Sequence, residues 1–191
     1  MNNKPTQNKK ILVCIIEYCT STLIDNILKE LNVEYFKIYP NNNPKNIPTH
    51  IILSGGHDHV YENNHRPIPK WVLDSDIKVF GICYGMQLVA HTFGGVVSKM
   101  KEKEEGFFYV DEYQLFNNKI DNKLSHNLRW FNRFDNVYKC PPNFTILGVN
   151  DKNLIVSITD NIKFWGVQYH PENPNALDYN FFCSFFSYYN K

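Results

Sequence analysis

Val79-Phe80-Gly81-Ile82-Cys83-Tyr84-Gly85-Met86-Gln87 is the stretch from which the fold can be read. Ile77 to Ile82 is a short apolar run of strand length. A single cysteine follows, and a helix is expected from Gly85 to Phe93. Gly-x-Cys-x-Gly at a strand-to-helix junction has the form of a nucleophile elbow. Such a turn needs its glycines, because a Cβ on either flank would clash with backbone packed close by. Cys83 would then stand at a helix N-terminus, where unpaired N–H groups and the helix dipole favour a thiolate. The N–H of Tyr84 would point to where an oxyanion forms. The other fate of a free cysteine, a small buried hydrophobe, stays open on this stretch alone.

Outward from this junction, the N-terminal half alternates strands and helices. Lys10 to Glu17 reads as a strand, and Thr20 to Asn32 as a helix with Leu23, Ile24, Ile27, Leu28 and Leu31 at helical spacing and Thr20 or Ser21 as N-cap. Val33 to Tyr39 is a second strand, Pro40 to Thr49 a loop, and His50 to Leu53 a third strand running into Ser54-Gly55-Gly56. After a polar loop to Arg66, a short helix spans Ile68 to Leu73. This order predicts an α/β fold: a flavodoxin-like three-layer sandwich with a mostly parallel central sheet. In the C-terminal half, Val96–Met100, Phe107–Leu115, Val137–Lys139, Phe144–Val149, Leu154–Thr159 and Lys163–Tyr169 read as strands, several of them antiparallel additions. Lys99 to Glu105 reads as a solvated turn or edge. Asn175 to Tyr189 is a last helix with more aromatic area than one core face takes, so that one row is expected in the core and another partly exposed or docked on a partner.

The chain has 191 residues, 43% hydrophobic and 20% charged, enough to bury one core. Residues 10–191 are expected to form a single domain behind a frayed or disordered tail, residues 1–9. Apolar runs such as Ile11 to Ile16 are too short to span a membrane. With 20 basic and 19 acidic residues the net charge is +1, which gives no electrostatic reason to expect nucleic acid or an anionic membrane as partner. The five cysteines form neither a CxxC pair nor a zinc-ligand spacing, and no signal-peptide core precedes Lys10. A reducing, cytoplasmic setting is expected.

A thiol of ordinary acidity needs a base. His57, His59 and His65 lie in a polar loop and are expected to be solvated; His50 and His126 open expected strands; His91 sits too far along its helix to face the sulfur. His170 ends the strand Phe164 to Tyr169 and precedes Pro171-Glu172. In a parallel sheet the carboxyl ends of the strands gather at one edge, where ligands bind. Cys83 and His170 would meet there, with Glu172 holding the imidazole through its other nitrogen. Glu172 could equally serve as an N-terminal charge on the last helix.

Gly81-Ile82-Cys83-Tyr84-Gly85-Met86-Gln87 and Gly166-Val167-Gln168-Tyr169-His170-Pro171-Glu172 resemble the two signature motifs of the class I, triad-type glutamine amidotransferases. Ile51 to Gly56, Val60-Tyr61-Glu62, Arg66 and Pro69 look like the branch that forms the glutaminase domain of GMP synthetase, and Glu104-x-Gly106-Phe107 resembles its Glu-Phe-Gly-Tyr segment. The resemblance runs from Lys10 onward. It implies Cys83 as nucleophile, His170 as acid and base, and Glu172 as the orienting carboxylate. It implies Gly56 and Tyr84 amides as the oxyanion hole, and Gln87 and Gly55 as substrate-binding residues. The implied chemistry is hydrolysis of L-glutamine through a γ-glutamyl thioester, with ammonia passed to a synthetase. It requires neither cofactor nor metal.

Departures concern the partner and the substrate grip. No Ser-Gly-Gly-x-Asp-Ser segment of an ATP pyrophosphatase occurs, so the acceptor, an XMP-aminating synthetase, is expected on a separate chain. The first strand lacks the family's Gly-Ser and reads Cys14-Ile15-Ile16-Glu17-Tyr18. The family's Ser-His-Gly-Asp segment aligns with Asn132-Arg133-Phe134-Asp135, where only Asp135 is kept. Arg133 could bind a substrate carboxylate or be an ordinary surface residue. A free-standing hydrolase of another γ-glutamyl compound, and a catalytically silent regulatory relative, are the alternatives; the intact Cys83, His170 and Glu172 speak against the latter.

Overall fold

Five strands run parallel at the centre of the molecule. These are β1 (Leu12–Ile16), β2 (Glu34–Ile38), β3 (His50–Leu53), β4 (Lys78–Ile82) and β9 (Phe164–Val167), in the order β2-β1-β3-β4-β9. The computed structural model describes residues 10–116 and 119–188; the expected tail, residues 1–9, and Tyr189 lie outside them. All four residues of β3 and of β9 are buried, which is why neither strand alternates apolar with exposed polar residues.

Successive side chains of β1 point to opposite faces. Val13 and Ile15 enter one core with Ile24, Ile27 and Leu28 of α1 (Thr22–Glu30) and the phenylalanines of α4 (Tyr179–Tyr188). Cys14 and Ile16 enter the other, with Val72 of α2 (Lys70–Leu73) and Met86, Leu88, Val89 and Ala90 of α3 (Tyr84–Thr92). Ser21 is the α1 N-cap by position, but its hydroxyl bonds Glu17 Oε1 at 2.6 Å instead of the helix amides.

The expected parallel central sheet with antiparallel additions is found in part: the additions are larger than expected and form a closed portion of their own. The strands β5 (Val96–Phe116), β6 (Lys119–Lys139), β7 (Thr145–Asn150) and β8 (Ile155–Thr159) are all paired antiparallel. β8 joins them to β9, and β7 pairs with both β5 and β8, so this portion closes on itself. Val96–Met100 and Phe107–Leu115 are one strand, and Lys99–Glu105 is no turn. The register breaks between Lys99 and Glu104, where β5 carries extra residues opposite Asp135 and Arg133. Glu104 itself is buried, and His126 lies within β6 rather than at its start.

The last helix begins at Tyr179 rather than Asn175. Asp178 caps it, its Oδ1 accepting the Phe181 N–H at 3.1 Å. Phe181, Phe182, Phe185 and Phe186 are all buried, at successive i, i+1 and i+4 positions of one broad stripe. Neither row of phenylalanines is left for a partner: Phe80 and Trp165 lie against Phe181 and Phe185, while His50 packs edge-on to Phe185 and Phe186. Each buried phenylalanine stabilises the fold by about 1.5–3 kcal/mol. No described helix is long and apolar enough to cross a membrane.

Candidate active site

The parallel pairing of β4 with β9 sets Ile82 beside Val167, so the residues that follow each strand emerge together at one sheet edge. Cys83 follows Ile82 as the N-cap of α3, with φ 51° and ψ −105°, a left-handed backbone that a non-glycine residue adopts only under constraint. Its N–H bonds Val167 O at 2.8 Å, and its carbonyl accepts the Gln87 N–H at 3.1 Å. The flanking glycines are sterically required. A Cβ on Gly81 would lie 2.6 Å from the Gly85 carbonyl carbon, and one on Gly85 2.4 Å from Leu53 O.

Beyond β9 the chain continues to His170, whose N–H is held by Trp130 O at 2.8 Å. His170 Nδ1 lies 2.8 Å from Glu172 Oε1. A Cβ on Gly55 would sit 3.5 Å from His170 Cε1 and 4.0 Å from Cys83 Cβ, so imidazole and thiol border the same glycine. Burial alone would lower the His170 pKa. The charges of Cys83 and Glu172, and the hydrogen bond with Glu172, outweigh it and raise the imidazole well above its ordinary value. The buried Nε2 nonetheless has no formed hydrogen bond, and neither has Glu172 Oε2. Glu172 lies in the turn before α4, not at the helix start.

His170 and Glu172 open onto a cleft of about 220 Å³, walled also by Cys19, Thr20, Ser21, Ser54, Gly55, Trp130, Asn132 and Asn173. Ser54 ties its two sides together: its Oγ accepts the Tyr18 N–H at 2.9 Å and donates to Gly55 O at 2.9 Å. Cys83, 6% exposed, lies buried beside Gly55 of the cleft wall. Cys19 is a thiol in the cleft wall itself; burial first, and then the charge of Cys83, push its pKa up. Gly56 packs on the Tyr84 ring so closely that a Cβ there would lie 2.7 Å from Tyr84 Cδ1.

The remaining expected site residues are placed outside the cleft wall. Gln87 is buried and donates to Asp135 O and to Gln168 Oε1, each at 3.2 Å. Asp135 is buried, its carboxylate held by His59 Nδ1 at 2.6 Å and Tyr61 OH at 3.0 Å, so His59 is a partner rather than a solvated loop residue. Arg133 is not on the surface. Its guanidinium is fully buried, donating to Glu104 Oε2 at 2.9 and 2.6 Å and to Asn136 Oδ1 at 2.5 Å. Lys152 joins the other Glu104 oxygen at 2.9 Å. His91 packs against His65, away from Cys83 on the helix surface.

Sequence reasoning passed over Gln168, which places its Nε2 3.6 Å from Cys83 Sγ, and Asn132, whose carbonyl is 3.9 Å from the same sulfur. The place of Gln168 in the second motif, at the β9 terminus, was the available signal; Asn132 opened the Asn132 to Asp135 segment, but that its carbonyl faces the sulfur followed only once β6 was placed. Among the described residues no cluster of three or more His, Cys, Asp or Glu side chains is arranged to hold a metal ion.

The model of the family "Glutamine amidotransferase class-I" matches residues 15–183. The chain is 39% identical over 131 residues to the glutamine-hydrolyzing GMP synthase of Thermosipho melanesiensis, covering 65% of this chain and 24% of that protein. It is 31% identical over 185 residues to that of Finegoldia magna, covering 89% and 34%. It thus spans about a quarter to a third of the length of these relatives. In structure it resembles a putative GMP synthase subunit from Thermoplasma acidophilum, with a TM-score of 0.82 at 21% identity and 94% of each chain covered. A glutamine amidotransferase from Thermotoga maritima matches with a TM-score of 0.70 at 22% identity, covering 85% of this chain and 76% of that one.

Proposed function

Since the chain belongs to the class I glutamine amidotransferase family, we propose that it hydrolyses the side-chain amide of L-glutamine through a γ-glutamyl thioester on Cys83. The observation that carries this is that Cys83 and His170 flank the same Gly55, with His170 held by Glu172 at 2.8 Å and its pKa raised by the neighbouring sulfur.

The Cys83 thiolate attacks the carboxamide carbon, and the carbonyl π pair moves onto oxygen. Main-chain N–H groups of Gly56 and Tyr84 receive that oxyanion; the Tyr84 amide, at the first turn of α3, has no partner within the helix. When the oxyanion collapses, the C–N bond breaks and His170 Nε2 gives its proton to the leaving nitrogen, which departs as ammonia. Neutral His170 then takes a proton from water, the water oxygen displaces the sulfur, and glutamate leaves. Glu172 fixes the ring through Nδ1 and stabilises the imidazolium. Gly55 borders the substrate; Gln87, Arg133 and Asp135 support the cleft from behind rather than touch the substrate. A single domain over residues 10–191, on a flavodoxin-like three-layer frame, carries these steps. The ammonia acceptor in this reading is a GMP-synthetase-type ATP pyrophosphatase that aminates XMP; the sequence similarity to glutamine-hydrolyzing GMP synthases supports it.

Purified protein assayed for glutamate and ammonia, with and without such a synthetase, ATP and XMP, tests the proposal. Cys83→Ala is expected to abolish turnover while the fold survives. Retention of about a tenth of the activity or more would show that Cys83 is not the nucleophile. A second reading, hydrolysis of another γ-glutamyl compound, is favoured by one observation: Cys19, Thr20 and Ser21 wall the cleft directly after the Cys14 to Tyr18 stretch that lacks the family's Gly-Ser. Cleavage of γ-glutamyl peptides with glutamine left intact would select it.

A further inference from the structure

Behind Cys83 lies a chain of three buried hydrogen bonds that fixes which way two side-chain amides point. Asp135 O is a main-chain carbonyl and can only accept, so the end of Gln87 that faces it at 3.2 Å must be the NH2 group. The same NH2 group donates to Gln168 at 3.2 Å, so that end of Gln168 must be its oxygen. The opposite end of Gln168, an NH2 group, is therefore turned onto Cys83 Sγ at 3.6 Å. Gln168, Gln87, Asp135 and Cys83 are 0%, 4%, 4% and 6% exposed, so water does not compete for these bonds.

We propose that Gln168 is a further catalytic residue, donating a side-chain N–H to the Cys83 sulfur and favouring its thiolate, and that Gln87 is a positioning residue that orients the Gln168 amide. The proposal rests on Cys83 being the nucleophile. A thiolate only accepts, so it gains from the Gln168 donor and loses by facing Asn132 O, to which a thiol can donate. Among the described residues, ionisable groups that interact with Cys83 include His170 after β9, Arg133 on β6 and Cys19 after β1, with Glu172 behind His170. None of them is removed by changing Gln168 or Gln87.

The test is the rate of Cys83 alkylation by iodoacetamide as a function of pH, read by mass spectrometry on the Cys83 peptide. This readout does not depend on glutamine turnover, so it stands apart from the glutaminase assay and from Cys83→Ala. Gln168→Met, of similar length and without a donor, is expected to move the midpoint up by about one pH unit, the scale of one hydrogen bond to a charged group. Gln168→Glu, which sets an acceptor against the sulfur, is expected to move it further. Gln87→Met is expected to move it in the same direction by less. Thermal melts identify any variant that has lost its fold. A midpoint unchanged in folded Gln168→Met or Gln168→Glu overturns the donor role; a shift in Gln168→Met with none in Gln87→Met overturns the orienting role.

Discussion

At His170 two effects of opposite sign meet, and their balance makes stability depend on pH. Burial favours the neutral ring, but the charges of Cys83 and Glu172 win and raise the folded pKa well above 6.5. The native state therefore binds this proton more tightly than the unfolded chain. That stabilisation is complete below the unfolded value and is lost as pH rises through the elevated folded one. Melting temperature followed from about pH 6 to about pH 10 is expected to fall across that alkaline window. In Glu172→Gln the fall should begin at lower pH and be smaller, because one source of the elevation is gone. Parallel curves for the two proteins would rule this out. Cys83 itself was readable from its neighbours, since Gly81 and Gly85 answer to backbone only a few residues away and to the adjoining strand. Gln87 was not, because its partners come from β6 and from the end of β9, and nothing near Gln87 in the chain names them.

The β5–β6 hairpin inverts the usual pattern of a surface ribbon. Along β6, Arg129, Phe131, Arg133 and Asp135 face inward, while Leu124, Leu128 and Phe134 are about half exposed. A reading that sends apolar residues inward misses such a strand, and only Val137 to Lys139 stood out as extended. The buried charges survive because they are paired: Glu104 accepts two bonds from Arg133 and one from Lys152. Burial alone would raise the Glu104 pKa, yet the two cations hold it below the usual carboxylate range. Glu104→Gln leaves Arg133 an uncompensated buried charge, and a loss of about 3–5 kcal/mol is expected in urea denaturation. The double variant Glu104→Met with Arg133→Met should recover most of that loss. If the single variant unfolds at the urea midpoint of the unsubstituted protein, the pair does not hold the hairpin.

Across the whole molecule, one side chain links the closed antiparallel portion to the parallel sheet and the last helix. Arg129 on β6 bonds Glu112 on β5 through Nε at 2.8 Å and Asp178, the cap of α4, at 2.6 Å. Glu112 also receives the Tyr169 hydroxyl at 2.7 Å, one residue before His170. Arg129→Met is expected to cost about 3–5 kcal/mol by chemical denaturation. It should also lower glutamine turnover, by loosening the segment that presents His170. Turnover equal to that of the unsubstituted protein, despite the stability loss, would mean that His170 is placed independently of this link. The elbow, the imidazole after β9 and the alternating first half were legible in the chain, because each depends on glycine sterics, apolar runs and strand-to-helix order acting over short stretches. The closed antiparallel portion, the burial of Arg133 and the retreat of Gln87 and Asp135 from the cleft were settled only by folding. Charge pairing and amide orientation depend on which distant strand lies alongside, and nothing in the local sequence carries that.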